Sequence, residues 1–181
     1  DHRFWLLSMS VEIRENADVG IENCDWSNYF TEEFCIPDEV YRYAIDMTEK
    51  EVDEAVEGLY HNLNTLQSRS GNQLPFTSIN YGTCTEPEGR MVTKALLDVS
   101  ISGIGKLHKT SIFPCGIFQC MKGVNRAPRD PNYDLFKLAL KSTAQRLYPN
   151  YANVDWSGNA GYDINDPKTY FSTMGCRTAN G

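Results

Sequence analysis

With 181 residues, 41% of them hydrophobic and 23% charged, the chain has the length and composition of one globular domain with a sizeable core, not of a disordered or fibrous protein. A net charge of −7 and a pI near 5.0 exclude bulk electrostatic binding to nucleic acid or to an anionic membrane, so a phosphorylated ligand needs a local basic pocket. No run approaches the roughly 20 apolar residues of a membrane span, and the stretch from Asp1 to Leu7 is too short for a signal-peptide core, which points to a cytoplasmic protein.

Residues 1–44 are aromatic and acidic with weak periodicity and form a poorly assigned lead segment. From Thr48 the pattern sharpens: Thr48-Glu49-Lys50-Glu51 has the capping-box form, and Val52, Ala55, Val56, Leu59, Leu63 and Leu66 follow at helical spacing. This predicts a helix from Thr48 to about Arg69–Gly71. The alternation in 74–82 predicts a short strand with one polar face, Ser78 and Asn80 lying on it. Thr85-Glu86-Pro87-Glu88 repeats the capping box, and Met91, Val92, Ala95, Leu96 and Val99 give the next helix its apolar face, up to Ser102-Gly103.

Residues 111–121 read as an apolar strand distorted by Pro114 and Gly116. Asn132 or Asp134 then caps a third helix on Leu135, Phe136, Leu138, Ala139, Ala144 and Leu147, stopped before Pro149. Asn150–Trp156 is a further strand, 157–169 a polar loop long enough to suspect function, and Tyr170-Phe171-Ser172 resumes extended structure. Alternating helices and strands predict an α/β fold with parallel neighbours, in which chemistry collects at the carboxyl ends of the strands. Those ends are 80–83, 119–122, 155–157 and the segment reaching Cys176.

Six cysteines (Cys24, Cys35, Cys84, Cys115, Cys120 and Cys176) form no C-x-x-C pair, so neither a zinc ribbon nor a disulfide framework is indicated. Gly103-Ile104-Gly105-Lys106-Leu107 departs from a phosphate loop, because position 100 is Ser and position 107 is Leu. It remains a glycine-rich basic turn that could meet a phosphate. His61 and His108 lack partners at metal or triad spacing. The polar run 67–73, with Arg69, suits either a solvated loop or a site for ribose hydroxyls. Cys176, between Gly175 and Arg177, could serve as a thiolate or as a thiyl radical, and its neighbours leave both open.

Five motifs occur in order from about Met47 to Thr178. They are His61-Asn62-Leu63-Asn64-Thr65 with Ser68-Arg69; Pro75-Phe76-Thr77-Ser78-Ile79-Asn80-Tyr81-Gly82-Thr83; Ile112-Phe113-Pro114; Asp130-Pro131-Asn132-Tyr133-Asp134-Leu135 with Arg146-Leu147-Tyr148-Pro149-Asn150; and Met174-Gly175-Cys176-Arg177-Thr178. In these the chain resembles the large catalytic subunit of anaerobic, class III ribonucleoside-triphosphate reductases, members of the glycyl-radical enzyme superfamily. The resemblance implies that residues 45–181 are part of a ten-stranded α/β barrel ending at the finger loop that carries the radical cysteine. It further implies that Cys176 becomes a thiyl that abstracts the ribose 3′ hydrogen; Ser78 and Asn80, on the polar face of their strand, and Arg69, in the polar run, are then the candidates to line a substrate or effector nucleotide site. Cys24 is the match for a second cysteine facing the first.

The implied cofactors are a glycyl radical on a segment outside this chain, formate as reductant (thioredoxin-type reductants in some branches), and a zinc site only in a C-terminal part not present here, with no metal bound by the chain itself. The implied partners are a ribonucleoside triphosphate, ATP and deoxynucleotide effectors, an S-adenosylmethionine and iron–sulfur activase, and a second copy in a full-length homodimer. Neither nucleic acid nor membrane is expected as a partner, and the compartment is the cytoplasm of an anaerobic cell or of a host if the gene is viral. Beginning at Asp1 and ending at Gly181, the chain reads as a fragment, expected to be inactive alone. The competing readings are another glycyl-radical enzyme of the formate acetyltransferase type, disfavoured because those with pyruvate chemistry carry two adjacent cysteines; a non-catalytic nucleotide-binding module; and a thiolate hydrolase, for which no histidine motif is found.

Overall fold

The computed structural model describes residues 38–66, 74–156, 158–159, 161–170, 172–174 and 179–180. The chain divides into two compact units, 1–51 and 52–181. Helix α1 (Asp38–Thr65) crosses that boundary; β1 (Ser78–Tyr81), α2 (Pro87–Ser102), β2 (Cys115–Cys120), α3 (Tyr133–Arg146), β3 (Asn150–Asn153), a single 3₁₀ turn (Pro167–Thr169), β4 (Ser172–Thr173) and β5 (Ala179–Asn180) follow. No described helix is long and apolar enough to cross a membrane.

α1 starts ten residues before the capping box that the sequence suggests at Thr48. Residues 38–47 contain no helix breaker, and Thr48 Oγ1 donates back to the carbonyl of Ala44 at 2.7 Å, as an interior helical hydroxyl does. The helix also ends at Thr65, short of Arg69. Its buried face in the second unit is the i, i+4 stripe Val52, Val56 and Tyr60, while Ala55 and Leu59 are exposed. At α2 the capping box again fails. Glu86 occupies the cap position without a side-chain capping hydrogen bond to the helix, and Pro87, which has no N–H to satisfy, opens the first turn.

β1, β2 and β3 form a parallel sheet in that order, with Ser78 opposite Cys115, Asn80 opposite Ile117, and Ile117 opposite Asn150. The α/β fold with parallel neighbours expected from the element order is therefore present. Side chains alternate along each strand, so the sheet has two unlike faces. One carries Ile79, Tyr81 and Phe118 against the helices: Ile79 and Tyr81 meet Val56, Tyr60, Ala95 and Leu96, and Phe118 meets Leu97, Leu135 and Ala139. Phe118 and Leu97 are fully buried, each worth about 2–3 kcal/mol of transfer free energy.

α2 is thus buried on two sides, Ala95 and Leu96 toward α1 and Leu97 and Ser100 toward α3 and β2. A single apolar stripe missed Leu97. On α3 the small Ser142, not Ala144, is buried, and its hydroxyl donates to Tyr148 O at 2.8 Å and to Ser100 Oγ at 3.2 Å.

Candidate functional site

The other face of the sheet carries Ser78 and Asn80 from β1, Cys115, Ile117 and Gln119 from β2, and Asn150 and Ala152 from β3. Amides and a hydroxyl dominate it, and no carboxylate or ammonium stands among them. Such a surface donates to and accepts from neutral hydroxyls without imposing a charge. Beside it lies a cavity of about 300 Å³ lined by Ile117, Asn150, Ala152, Trp156 and Thr173, together with Tyr151 and Asn153.

The chain returns to this face through β4, which pairs antiparallel with β5 through Ser172 with Asn180 and Thr173 with Ala179. Asn80 reaches across to it. Its Nδ2 donates to Thr173 O at 3.0 Å, and its Oδ1 lies 3.4 Å from Thr173 N. Cys176, Cys24 and Arg69 lie outside the described residues, as do the other residues of the run 67–73; Cys176 falls in sequence between the two paired strands.

The carboxyl ends of β1 and β2 are joined by two buried amides, Asn125, to which the sequence pattern gives no role, and Asn132, to which it gives only that of a helix cap. Asn125, fully buried, donates from Nδ2 to Gly82 O (3.0 Å) and Gln119 O (2.8 Å) and accepts from Met121 N at 2.9 Å. Asn132 does stand at the cap position of α3. Its side chain, however, makes no cap: Nδ2 donates to Gly82 O and Cys84 O, and Oδ1 accepts from Arg90 Nη1 at 2.6 Å.

Arg90 also pairs with Asp134 at 2.8 Å. Burial, the largest single influence, raises the Asp134 pKa, but the hydrogen bond from Arg90, backbone hydrogen bonds and the charge of Arg90 together outweigh it and hold the carboxyl below its ordinary value. At the ends of β2 and β3, Asp155 accepts from Lys122 N and pairs with Arg126 at 3.2 Å. Burial raises the Cys120 thiol pKa against the lowering charge of Arg126, with Asp155 adding to the rise, so Cys120 is a protonated thiol at neutral pH.

The glycine-rich turn 103–110 is spent on the fold. Ile104 and Lys109 form a bridge, His108 N donates to Gly105 O, and Arg146 donates to the carbonyls of Ile101, Ser102 and His108, placing a cation at the C-terminus of α2. A phosphate cradle needs free N–H groups ahead of a helix. This turn follows one, and the amides of Ile104, His108 and Lys109 are used internally. His61 is exposed, with the Thr65 hydroxyl beside its ring, and no cluster of three or more metal-ligating side chains occurs among the described residues.

The family model for anaerobic ribonucleoside-triphosphate reductase matches residues 15–181. The chain belongs to that family. It is 36% identical over 150 residues to the anaerobic ribonucleoside-triphosphate reductases of Haemophilus influenzae and Escherichia coli, covering 83% of this chain and 20% of theirs. To the phage T4 protein of the same name it is 38% identical over 136 residues, 75% of this chain and 22% of the phage protein. The chain thus spans about a fifth of the length of the curated relatives it matches. With the family matched over residues 15–181, the superfamily runner-up of formate acetyltransferase type loses its ground.

Proposed function

We propose that this chain is the part of an anaerobic ribonucleotide reductase that presents the reactive cysteine, Cys176, to a ribonucleoside triphosphate. The observation that carries the reading is the family match through residue 181, which includes Cys176. The polar, uncharged face of the sheet supports it, since a radical reaction on ribose needs hydroxyls held in place with few ionisable groups nearby to divert it. In the full-length protein the three parallel strands are an arc of the ten-stranded barrel, helices outside and the Ser78–Asn80 face inside.

A glycyl radical on a segment outside this chain, installed by an S-adenosylmethionine and iron–sulfur activase, supplies the unpaired electron. The Cys176 thiyl then takes the 3′ hydrogen atom: an S–H bond forms, the C3′–H bond breaks, and the odd electron passes to C3′. The 2′ hydroxyl leaves with a proton as water, and once the sugar is reduced the Cys176 thiol returns the hydrogen atom to C3′, so that the S–H bond breaks, the C3′–H bond re-forms and the thiyl is regenerated. Formate supplies the two electrons for the net change, leaving as carbon dioxide, so that nucleotide, formate and one proton give deoxynucleotide, carbon dioxide and water. The chain's own task is to orient the ribose and exclude water.

Ser78 and Arg69 are the proposed nucleotide contacts, and Cys24 the proposed second cysteine; Asn80, expected from its place on the same polar face to join them, has its amide engaged by the Thr173 backbone. ATP and deoxynucleotide effectors, the homodimer, and the zinc site belong to the whole protein. In a full-length protein carrying this sequence, Cys176→Ser should abolish deoxynucleotide formation while nucleotide binding persists, and this chain alone should form none. Normal turnover without the thiol would sink the assignment.

A further inference from the structure

We propose that Asn80 is the positioning residue for the strand that delivers the chain to Cys176, a reading that rests on the role given to Cys176 above. β4 has only two residues, and its ladder to β5 is correspondingly short. Two-stranded ribbons are marginal by themselves. Burial does little to hold β4, because Ser172 is exposed, Thr173 half-buried, and Met174 43% exposed. Among the described residues, the hydrogen bonds that join β4 to the sheet come from one amide. Asn80 Nδ2 donates to the Thr173 carbonyl at 3.0 Å, and Asn80 Oδ1 faces the Thr173 N–H at 3.4 Å, so the same backbone residue is gripped on both its donor and its acceptor.

The grip has a rigid base. Asn80 sits within the parallel ladder to β2, opposite Ile117, and β2 is the most buried strand of the sheet. An asparagine has two side-chain torsions, so little entropy is lost in holding it. Aspartate could not replace it, since a carboxylate would face the Thr173 carbonyl with no hydrogen to give. Thr173 stands three positions before Cys176 in the sequence, so chain connectivity, at most about 3.3–3.6 Å per residue, ties the reach of the thiol to where that backbone is held. Hydrogen transfer is steep in distance, with productive contacts of about 3–3.5 Å and misplacements near 1 Å costing on the order of 100-fold.

The test uses the full-length protein with its activase, comparing wild type, Asn80→Ala and Cys176→Ala. Three quantities are read: glycyl-radical content by electron paramagnetic resonance, nucleotide affinity by equilibrium binding, and kcat and KM. Asn80→Ala is expected to keep wild-type radical content and affinity while kcat falls by roughly 10- to 100-fold at unchanged KM. Affinity lost at unchanged kcat would overturn the proposal and make Asn80 a direct nucleotide contact. So would a wild-type kcat alongside an inactive Cys176→Ala. Turnover retained by Cys176→Ala, by contrast, would remove the underlying reductase reading. Should Asn80→Ala fail to fold, the near-isosteric Asn80→Asp carries the same test: the same loss of kcat supports the clamp, and an unchanged kcat overturns it.

Discussion

Gly116 shows how one position on β2 decides what its neighbours can do. A Cβ there would meet the Tyr81 hydroxyl at 2.8 Å and Pro149 Cβ at 3.3 Å, and burial pushes the Tyr81 pKa well above its ordinary value, so this hydroxyl has little water to retreat into. Gly116→Ala should therefore destabilise the fold by about 1–3 kcal/mol, read as a lower denaturation midpoint at unchanged m-value. An unchanged midpoint would show that Tyr81 can move aside. The sequence marked Gly116 only as a distortion of a strand, because the residue that needs the space lies on β1. Asn132 teaches the same lesson: the local pattern assigns it the cap position, whereas its amide is engaged with Gly82, Cys84 and Arg90, partners from distant segments. Asn80 was legible as a polar strand residue, but its partner Thr173 was not, since nothing in a linear pattern pairs positions 93 apart.

At the scale of elements, hydrophobic periodicity located the three helices and the strands between them, and erred at ends and faces. Capping boxes at Thr48 and Thr85 are local signals that longer-range helix propensity and Pro87 override. The C-terminus of α3 illustrates an end the pattern described differently. Leu147, counted among the apolar residues of that helix, is 82% exposed and sits left-handed at φ 67°, its N–H bonded to Thr143 O. For a residue with a Cβ this conformation costs about 1–2 kcal/mol. Leu147→Gly removes that cost, partly offset by the greater freedom of glycine in the unfolded chain, and should stabilise the protein by about 0.5–1 kcal/mol. A lower melting temperature for the variant would mean that the exposed leucine side chain carries packing that its exposure conceals.

For the molecule as a whole, the sequence pattern was enough for an α/β fold with parallel neighbouring strands and for a polar face on the first of them; that the three strands share this face, with helices against the other, comes only from the register and the packing. The cavity beside Trp156 and Thr173 was beyond the pattern, because that space is bounded by strands and a returning segment far apart in the chain. Under the proposed function this polar face meets the ribose, and that proposal turns on one atom, the sulfur of Cys176. Its most direct test is deoxynucleotide formation from 3′-protiated and 3′-deuterated ribonucleoside triphosphate in competition, using the full-length protein and its Cys176→Ala variant. The account predicts that wild type consumes the protiated substrate faster and that Cys176→Ala forms no deoxynucleotide from either. Equal consumption of the two by wild type, with product still formed by Cys176→Ala, would contradict it.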